Sequence, residues 1–351
     1  MKILILFNEL SEYIMACVNA LAVQSGAGIQ IIRLPLNKEA PFKFGYIHPN
    51  ITLHLRTDFS DNQLVDTCMQ FNPDMVICSG WKDKAYLKVC NHFHGKIPTV
   101  LIFDNKWKGS LRQHFAAIAS PILIKNKFSH CFVPGTEQKK FAKKLGYPDN
   151  KIITGLYACD FKHFSDIYNR TKSAKEGQHP KRFLYVGRYL EIKGITDLWK
   201  AFVELKKEND TDWELWCAGT GQIPPFESPG IVHLGFVQPA DMENIISQTS
   251  VFVMPSHNDA WGVALQEMCA AGMPVLVSSK VGAISSFFSK GKNGFIYTAK
   301  NKKALKERLL SFTQLSNQQL VEMSTESHRL AGTFTPEKWA NNLINLMHVR
   351  N

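Results

Sequence analysis

Two carboxylates stand eight residues apart in the stretch NDAWGVALQE, Asp259 and Glu267. Between Ala260 and Ser279, Glu267 is the only charged residue among Val, Ala, Leu, Met, Cys and Gly. The surrounding run, 251–279, reads as strand, loop, helix, strand, with the helix opening near Gly262 and stopping at Gly272 before Pro274. Val263, Ala264, Leu265, Met268, Cys269 and Ala271 make that helix apolar nearly all round, which predicts burial. Glu267 then sits roughly 7–8 Å along it, at 1.5 Å per residue. A carboxylate in such a place needs a cation, strong donors or a ligand. The helix entry at Gly262 offers backbone amides and a positive dipole end, which suit an anion.

A second pair of groups lies upstream in FLYVGRYLEIKG, residues 183–194. A strand, a tight turn at Gly187, then Arg188 and Lys193 ahead of a helix place two cations at the carboxyl end of a strand. Open α/β sheets bind ligands there. Arg188 presents a planar fork to phosphate, and Lys193 a compact charge. An anion cradle with one acid in front and another behind matches the diphosphate, sugar hydroxyls and ribose diol of a sugar nucleotide. Plainer readings stand beside it: a helix cap for Asp259, a structural ion pair for Glu267, and two surface cations.

The elements that must hold these groups alternate along the chain. Strands are predicted near 3–7, 28–34, 51–56, 75–79, 99–103, 130–134 and 151–156, with helical stretches such as SEYIMACVNALAV between them. RFLYVG, WELWCAG, IVHLGF, VFVMPS, PVLVSS and GFIYT repeat the rhythm in the second half. Alternation of this kind means an α/β fold of parallel sheets with helices on both faces. IYNRTKSAKEGQHPKR, residues 167–182, is nearly devoid of large apolar residues and reads as a linker. The expected division is a Rossmann-like domain over 1–166, the linker, a second such domain over 183–334, and a C-terminal helix over 335–351 that crosses back to the first domain. A ligand cleft between the two domains is the natural expectation.

Composition narrows the function classes. The net charge of +11 is uneven: residues 1–165 hold 20 Lys/Arg against 12 Asp/Glu, and the remainder 21 against 18. A basic first half suggests an anionic partner. The segment 104–128 mixes Lys106, Lys108, Arg112, Lys125 and Lys127 with Trp107, Phe115 and Ile122, which suits an anionic membrane surface. Nucleic acid is disfavoured, because the aromatics fall mostly inside strand runs and no nucleic-acid motif occurs. The eight cysteines are scattered without a CxxC, and His92 and His94 have no nearby Cys or acid, so neither a disulfide framework nor a metal site is indicated. MKILILFNEL is not a signal peptide, and no run approaches the ~18 apolar residues of a membrane span. A cytoplasmic protein, free or peripheral on the inner face of the membrane, is expected. GxGxxG is absent, AGTGQIP offering only Gly219 and Gly221, which disfavours a nicotinamide dehydrogenase.

VGRYLEIKG, LWCAGTG, VHLGFV, VFVMPSHNDAWGVALQEMCAAGMPVLVS and GKNGFIY occur in one order. That order and spacing resemble the C-terminal domain of GT-B glycosyltransferases, most of all the retaining family 4 enzymes (glycosyl transferases group 1). GLYACDFKHF, residues 155–164, resembles the segment closing the family's N-terminal domain. The resemblance implies a GT-B fold, a UDP- or GDP-linked sugar donor, a glycan or lipid-linked acceptor and retention at the anomeric carbon without cofactor or metal. Cell-surface polysaccharide or lipopolysaccharide assembly is the implied setting. It assigns Gly187, Arg188 and Lys193 to the diphosphate, Asp259 to the donor sugar, Glu267 to the ribose hydroxyls, and the amides of Gly262 and Val263 to sugar or phosphate. Backbone near Gly235 and Phe236 would meet the base. The chain also departs from the pattern. Asp259 replaces a more usual Glu, FNELSEY stands where a glycine-rich turn is usual, and Phe103-Asp104 stands where His often precedes Asp, leaving Asp104 as the acceptor-side candidate. A GT-B sugar-nucleotide epimerase and a non-catalytic sugar-nucleotide or membrane-binding protein are the alternatives.

Overall fold

A computed structural model describes residues 1–35 and 43–348, the side chain of His348 excepted. Its first sheet holds β1 (Lys2–Phe7), β2 (Gly28–Arg33), β3 (Ile51–Leu55), β4 (Met75–Ser79), β5 (Thr99–Ile102), β6 (His130–Val133) and β7 (Ile152–Thr154). The second holds β8 (Arg182–Val186), β9 (Glu214–Ala218), β10 (Ile231–Gly235), β11 (Val251–Met254), β12 (Val275–Ser278) and β13 (Gly294–Tyr297). The orders are β3-β2-β1-β4-β5-β6-β7 and β10-β9-β8-β11-β12-β13. Every pairing is parallel. The inner strands β5, β6, β11 and β12 are buried at every position, as continuous apolar runs covered on both faces must be. Edge strands β3 and β10 are buried only at their first residue.

The chain divides into two compact units. Unit 1 begins at Met1, runs to Cys159 and takes the chain in again from Phe334, and unit 2 is Asp160–Thr333. The stretch read as a linker, 167–182, is therefore no linker. Phe161–Gly177 is a helix of unit 2, its start capped by the Asp160 carboxylate, which accepts from the His163 amide at 3.0 Å. That helix buries Phe164, Ile167, Tyr168, Thr171 and Lys175. The inward positions keep helical spacing, but the last two are polar, so the stripe fades from an apolar count exactly where the helix continues. Thr171 satisfies its hydroxyl locally by donating to the Ile167 carbonyl at 2.9 Å.

The helix Pro336–His348 packs on the helix Glu12–Ser25 within unit 1. Trp339, Ala340 and Leu343 enter the core formed by β1, β2 and that first helix. The Trp339 indole donates to the Leu156 carbonyl at 2.7 Å, so the polar end of the buried ring is satisfied.

Candidate functional site

In unit 2 the chain starts in the middle of the sheet at β8, builds outward through β9 and β10, and then returns to β8's other side with β11. The strand order reverses between β8 and β11, and the carboxyl ends of strands at such a switch point are where open α/β sheets bind ligands. The loops after these two strands carry Arg188 with Lys193, and Asp259 with Gly262.

The loop after β8 is held closely. The Tyr185 phenol, itself buried, donates to the Arg188 carbonyl at 2.8 Å. Burial pushes the ionisation of Tyr185 well up, with Cys217, Tyr189 and the Asp259 charge adding to the shift and Arg188 opposing it. The phenol therefore stays protonated as a donor, and it senses both the acid and the guanidinium of the site. Lys193 ends a single 3-10 turn, after which Gly194 takes a φ of 69° and opens the helix Ile195–Glu208. A Cβ at Gly194 would lie 2.1 Å from the Pro255 carbonyl oxygen, so the two loops touch through backbone at that point.

The loop after β11 is fastened from both sides. On one side the His257 amide donates to the Ile192 carbonyl at 2.9 Å, and the His257 Nε2 meets the Asp197 carboxylate at 2.8 Å. On the other, the Asp259 amide donates to Lys280 O at 3.1 Å and the Gly282 amide to Asp259 O at 3.2 Å, a one-residue parallel bridge to the loop after β12. The Ser278 hydroxyl donates to the Ser256 carbonyl. Asp259 is thus presented by a backbone tied to its neighbours at three points.

Between the two loops the Lys193 ammonium and the Asp259 carboxylate pair at 2.5 Å, with side chains 26% and 10% exposed. The two groups assigned to diphosphate and sugar are brought together, 66 residues apart in sequence. Arg188 is half-buried in the loop that carries Lys193. Gly262, at φ 94°, is the N-cap residue of the helix Val263–Ala270, and it has no side chain with which to cap the helix's first amides. A Cβ there would approach the Met254 methyl at 2.6 Å.

Glu267 corrects one expectation. The helix is not sealed all round: Val263, Ala264 and Glu267 are half-buried, while Leu265, Gln266, Met268, Cys269 and Ala270 are buried. Positions 263, 264 and 267 share one face, so the acid lies on the helix's accessible stripe, one turn below its first amide. The polar side chain deep in the core is instead Gln266, whose amide donates to the Ala331 carbonyl at 3.3 Å. Gly235, at φ 69°, ends edge strand β10, with half-buried Phe236 after it. Both stand at the carboxyl end of the same sheet, two strands and so about 10 Å from β8. Asp104 belongs to unit 1, half-buried just past the carboxyl end of β5.

Sequence reasoning missed the supports: Tyr185, Asp197, His257 and the Lys280–Gly282 backbone. None had a signal to follow: His257 and Asp197 meet across 60 residues, and the Tyr185 phenol turns back onto the Arg188 carbonyl of its own loop, which no residue pattern records. Together the site offers two cations, amides at a helix start that no N-cap side chain covers, and two carboxylates. Such a set neutralises a diphosphate and accepts hydrogen bonds from hydroxyls.

Residues 168–327 match the family model described as glycosyl transferases group 1. This stretch is similar to a glycosyl transferases group 1 domain. It is the part of unit 2 that holds Arg188, Lys193, Asp259 and Glu267. Among curated proteins the chain is similar to the putative colanic acid biosynthesis glycosyltransferase WcaL of Escherichia coli K12. The two are 27% identical over 194 residues, 51% of this chain and 46% of that protein, so the match spans about half the relative's length. The fold resembles that of a glycosyltransferase from Rickettsia africae at TM-score 0.76, 14% identity, covering 100% of this chain and 99% of the other. It likewise resembles Anabaena Alr3699/HepE, solved in complex with UDP and glucose, at TM-score 0.68 and 15% identity over 99% of each chain. The group 1-like domain and its companion sheet thus make a GT-B fold.

Proposed function

We propose that this chain transfers a sugar from a UDP- or GDP-linked donor to a hydroxyl of a glycan or lipid-linked acceptor, with retention at the anomeric carbon, in cell-surface polysaccharide assembly. The observation that carries the reading is the convergence of Arg188, Lys193, Asp259 and the helix start at Gly262 on the switch point of unit 2. The similarity to a group 1 domain, the resemblance to WcaL and a structural neighbour solved with UDP and glucose support it.

In this scheme the bond from the anomeric carbon to the diphosphate oxygen breaks while the acceptor oxygen bonds to the same carbon, and the acceptor proton passes to the departing diphosphate. Arg188, Lys193 and the amides at Gly262 and Val263 stabilise the charge that grows on that diphosphate. Fixed charges aimed at developing charge need no reorganisation during the reaction. Asp259 holds Lys193 in place and accepts from a sugar hydroxyl, and Glu267 accepts from the ribose diol. Gly187 lets the backbone run close to the phosphates, and backbone near Gly235 and Phe236 meets the base.

The test is a panel of UDP- and GDP-sugars, each incubated with and without glycan and polyprenyl-phosphate-linked acceptors, with nucleoside diphosphate release and sugar products followed. Acceptor-dependent release from one donor, undiminished by a chelator, is expected. Interconversion of the sugar without any acceptor would replace transfer by epimerisation. Donor binding without turnover on any acceptor would leave a binding protein.

A further inference from the structure

The helix Leu111–Ser120 and the π-turn Pro121–Lys125 that continues it are built inside out. A helix at the surface of a globular unit turns its large apolar residues inward. Here the helix buries only Ser120, whose hydroxyl donates to the Leu145 carbonyl at 2.7 Å. Its large apolar residues face out: Leu111 is 89% exposed, Phe115 68%, Ile118 81% and, in the turn, Ile122 73%. Their spacing of four, three and four residues aligns them in one narrow stripe. Ile124, buried at 1%, anchors the turn from below, so the outward stripe is a property of a fixed element. A contiguous apolar surface of this kind marks an interaction face.

The charge around the stripe selects its occupant. Between Asn105 and Thr136 the chain carries five cations and no acid. Of these, Lys108, Arg112 and Lys125 are exposed along the stripe. The neighbouring helix Thr136–Lys144 adds to the basic side, because Glu137 is paired with Lys140 and Asp149 with Lys139 and Lys143. Lys144 lies over the Trp107 ring at 5.9 Å, joining the two segments. No described helix is long and apolar enough to cross a membrane.

We infer that this face docks unit 1 flat on an anionic lipid bilayer, Phe115, Ile118 and Ile122 entering the acyl boundary and Arg112 and Lys125 resting among acidic headgroups. Apolar area and basic flanks act together in such binding, and neither suffices alone.

Flotation of the full chain with phosphatidylglycerol–phosphatidylcholine vesicles, and with phosphatidylcholine alone, tests this without using catalysis. The wild type is expected to float with the anionic vesicles. Because Phe115 and Ile118 are exposed, the double variant Phe115→Ser/Ile118→Ser keeps the wild-type Tm and should bind about a hundred-fold more weakly. Arg112→Glu/Lys125→Glu should abolish the preference for anionic over neutral lipid, as should high salt. A wild type that stays down with anionic vesicles overturns the inference, as does a serine variant that floats equally well. Self-association of the wild type, lost in the serine variant with no lipid binding by either, would assign the face to a second copy of the chain instead. Failure of any of these leaves donor binding by unit 2 untouched.

Discussion

Replacing Lys193 by alanine is expected to lower the turnover of sugar transfer about a hundred- to a thousand-fold at saturating donor, the range found for one preorganised group facing developing charge. The ammonium is 26% exposed and lies 2.5 Å from a carboxylate that is 10% exposed, so its charge is fixed in position and only partly screened. A structural lysine would show a different pattern. Losing it would remove the cation beside Asp259, costing about 1–3 kcal/mol of stability, with turnover per folded molecule preserved. The double variant Lys193→Met/Asp259→Asn separates the two effects, because it removes the ion pair as a unit. It should recover most of the lost Tm and none of the lost turnover. Rates measured on folded protein, with Tm alongside, decide the matter. Unchanged turnover in Lys193→Ala would take the leaving group away from this loop.

Lys175→Met is expected to stabilise the protein by about 4 kcal/mol at pH 7, an unusual gain from one substitution. Lys175 is 5% exposed on the helix Phe161–Gly177, and its ammonium has no hydrogen-bond partner among the described residues. Burial lowers its ionisation to about 7. Beside it His179, 6% exposed and with neither ring nitrogen partnered among the described residues, is lowered to about 4 by burial and by Lys175. The unfolded chain keeps the lysine protonated up to about pH 10.4, whereas the folded chain releases that proton near 7. Between those values the unfolded state binds more protons, so stability rises with pH and is lowest from pH 7 downward. Methionine removes the titration and fills the same space. Urea unfolding at pH 7 and pH 9.5 should show a rising wild-type stability and a nearly level variant. A variant less stable than wild type at pH 7, or one with the same pH slope, would show that the ammonium is compensated in the folded state.

All thirteen strands lie within a residue or two of the runs read from the sequence. Buried parallel strands are continuous apolar runs, and β-branched residues such as those in GIQIIR and VLVS leave little choice. The helix Phe161–Gly177 was hidden because Thr171 and Lys175 occupy inward positions that an apolar periodicity expects to be hydrophobic. The order of the sheets, and with it the switch point between β8 and β11, rests on pairings that no local pattern records. At the site, the residue types of Arg188, Lys193, Asp259 and Glu267 were legible, since charge beside Gly at the end of an apolar strand stands out. Their geometry was not. Lys193 finds Asp259 only because Gly194 lets two loops touch, and Glu267 is accessible because the accessible face of its helix consists of Val263 and Ala264, apolar in sequence but half-exposed in place. The basic, amphipathic character of 104–128 was legible, but the outward direction of Leu111, Phe115, Ile118 and Ile122 was not, because spacing shows that a helix is two-faced but not which face looks out.

The central claim is that the switch point of unit 2 holds a nucleoside diphosphate with Glu267 on its ribose. Calorimetric titration of UDP and of GDP into the wild type and Glu267→Ala tests it most directly. The partly accessible position of Glu267 makes the variant a mild one for folding. One of the two nucleotides should bind the wild type, and the variant should bind it about ten- to a hundred-fold more weakly, as the loss of hydrogen bonds to a charged acceptor requires. Equal affinity in wild type and variant, or no binding of either nucleotide to the folded wild type, would contradict the assignment.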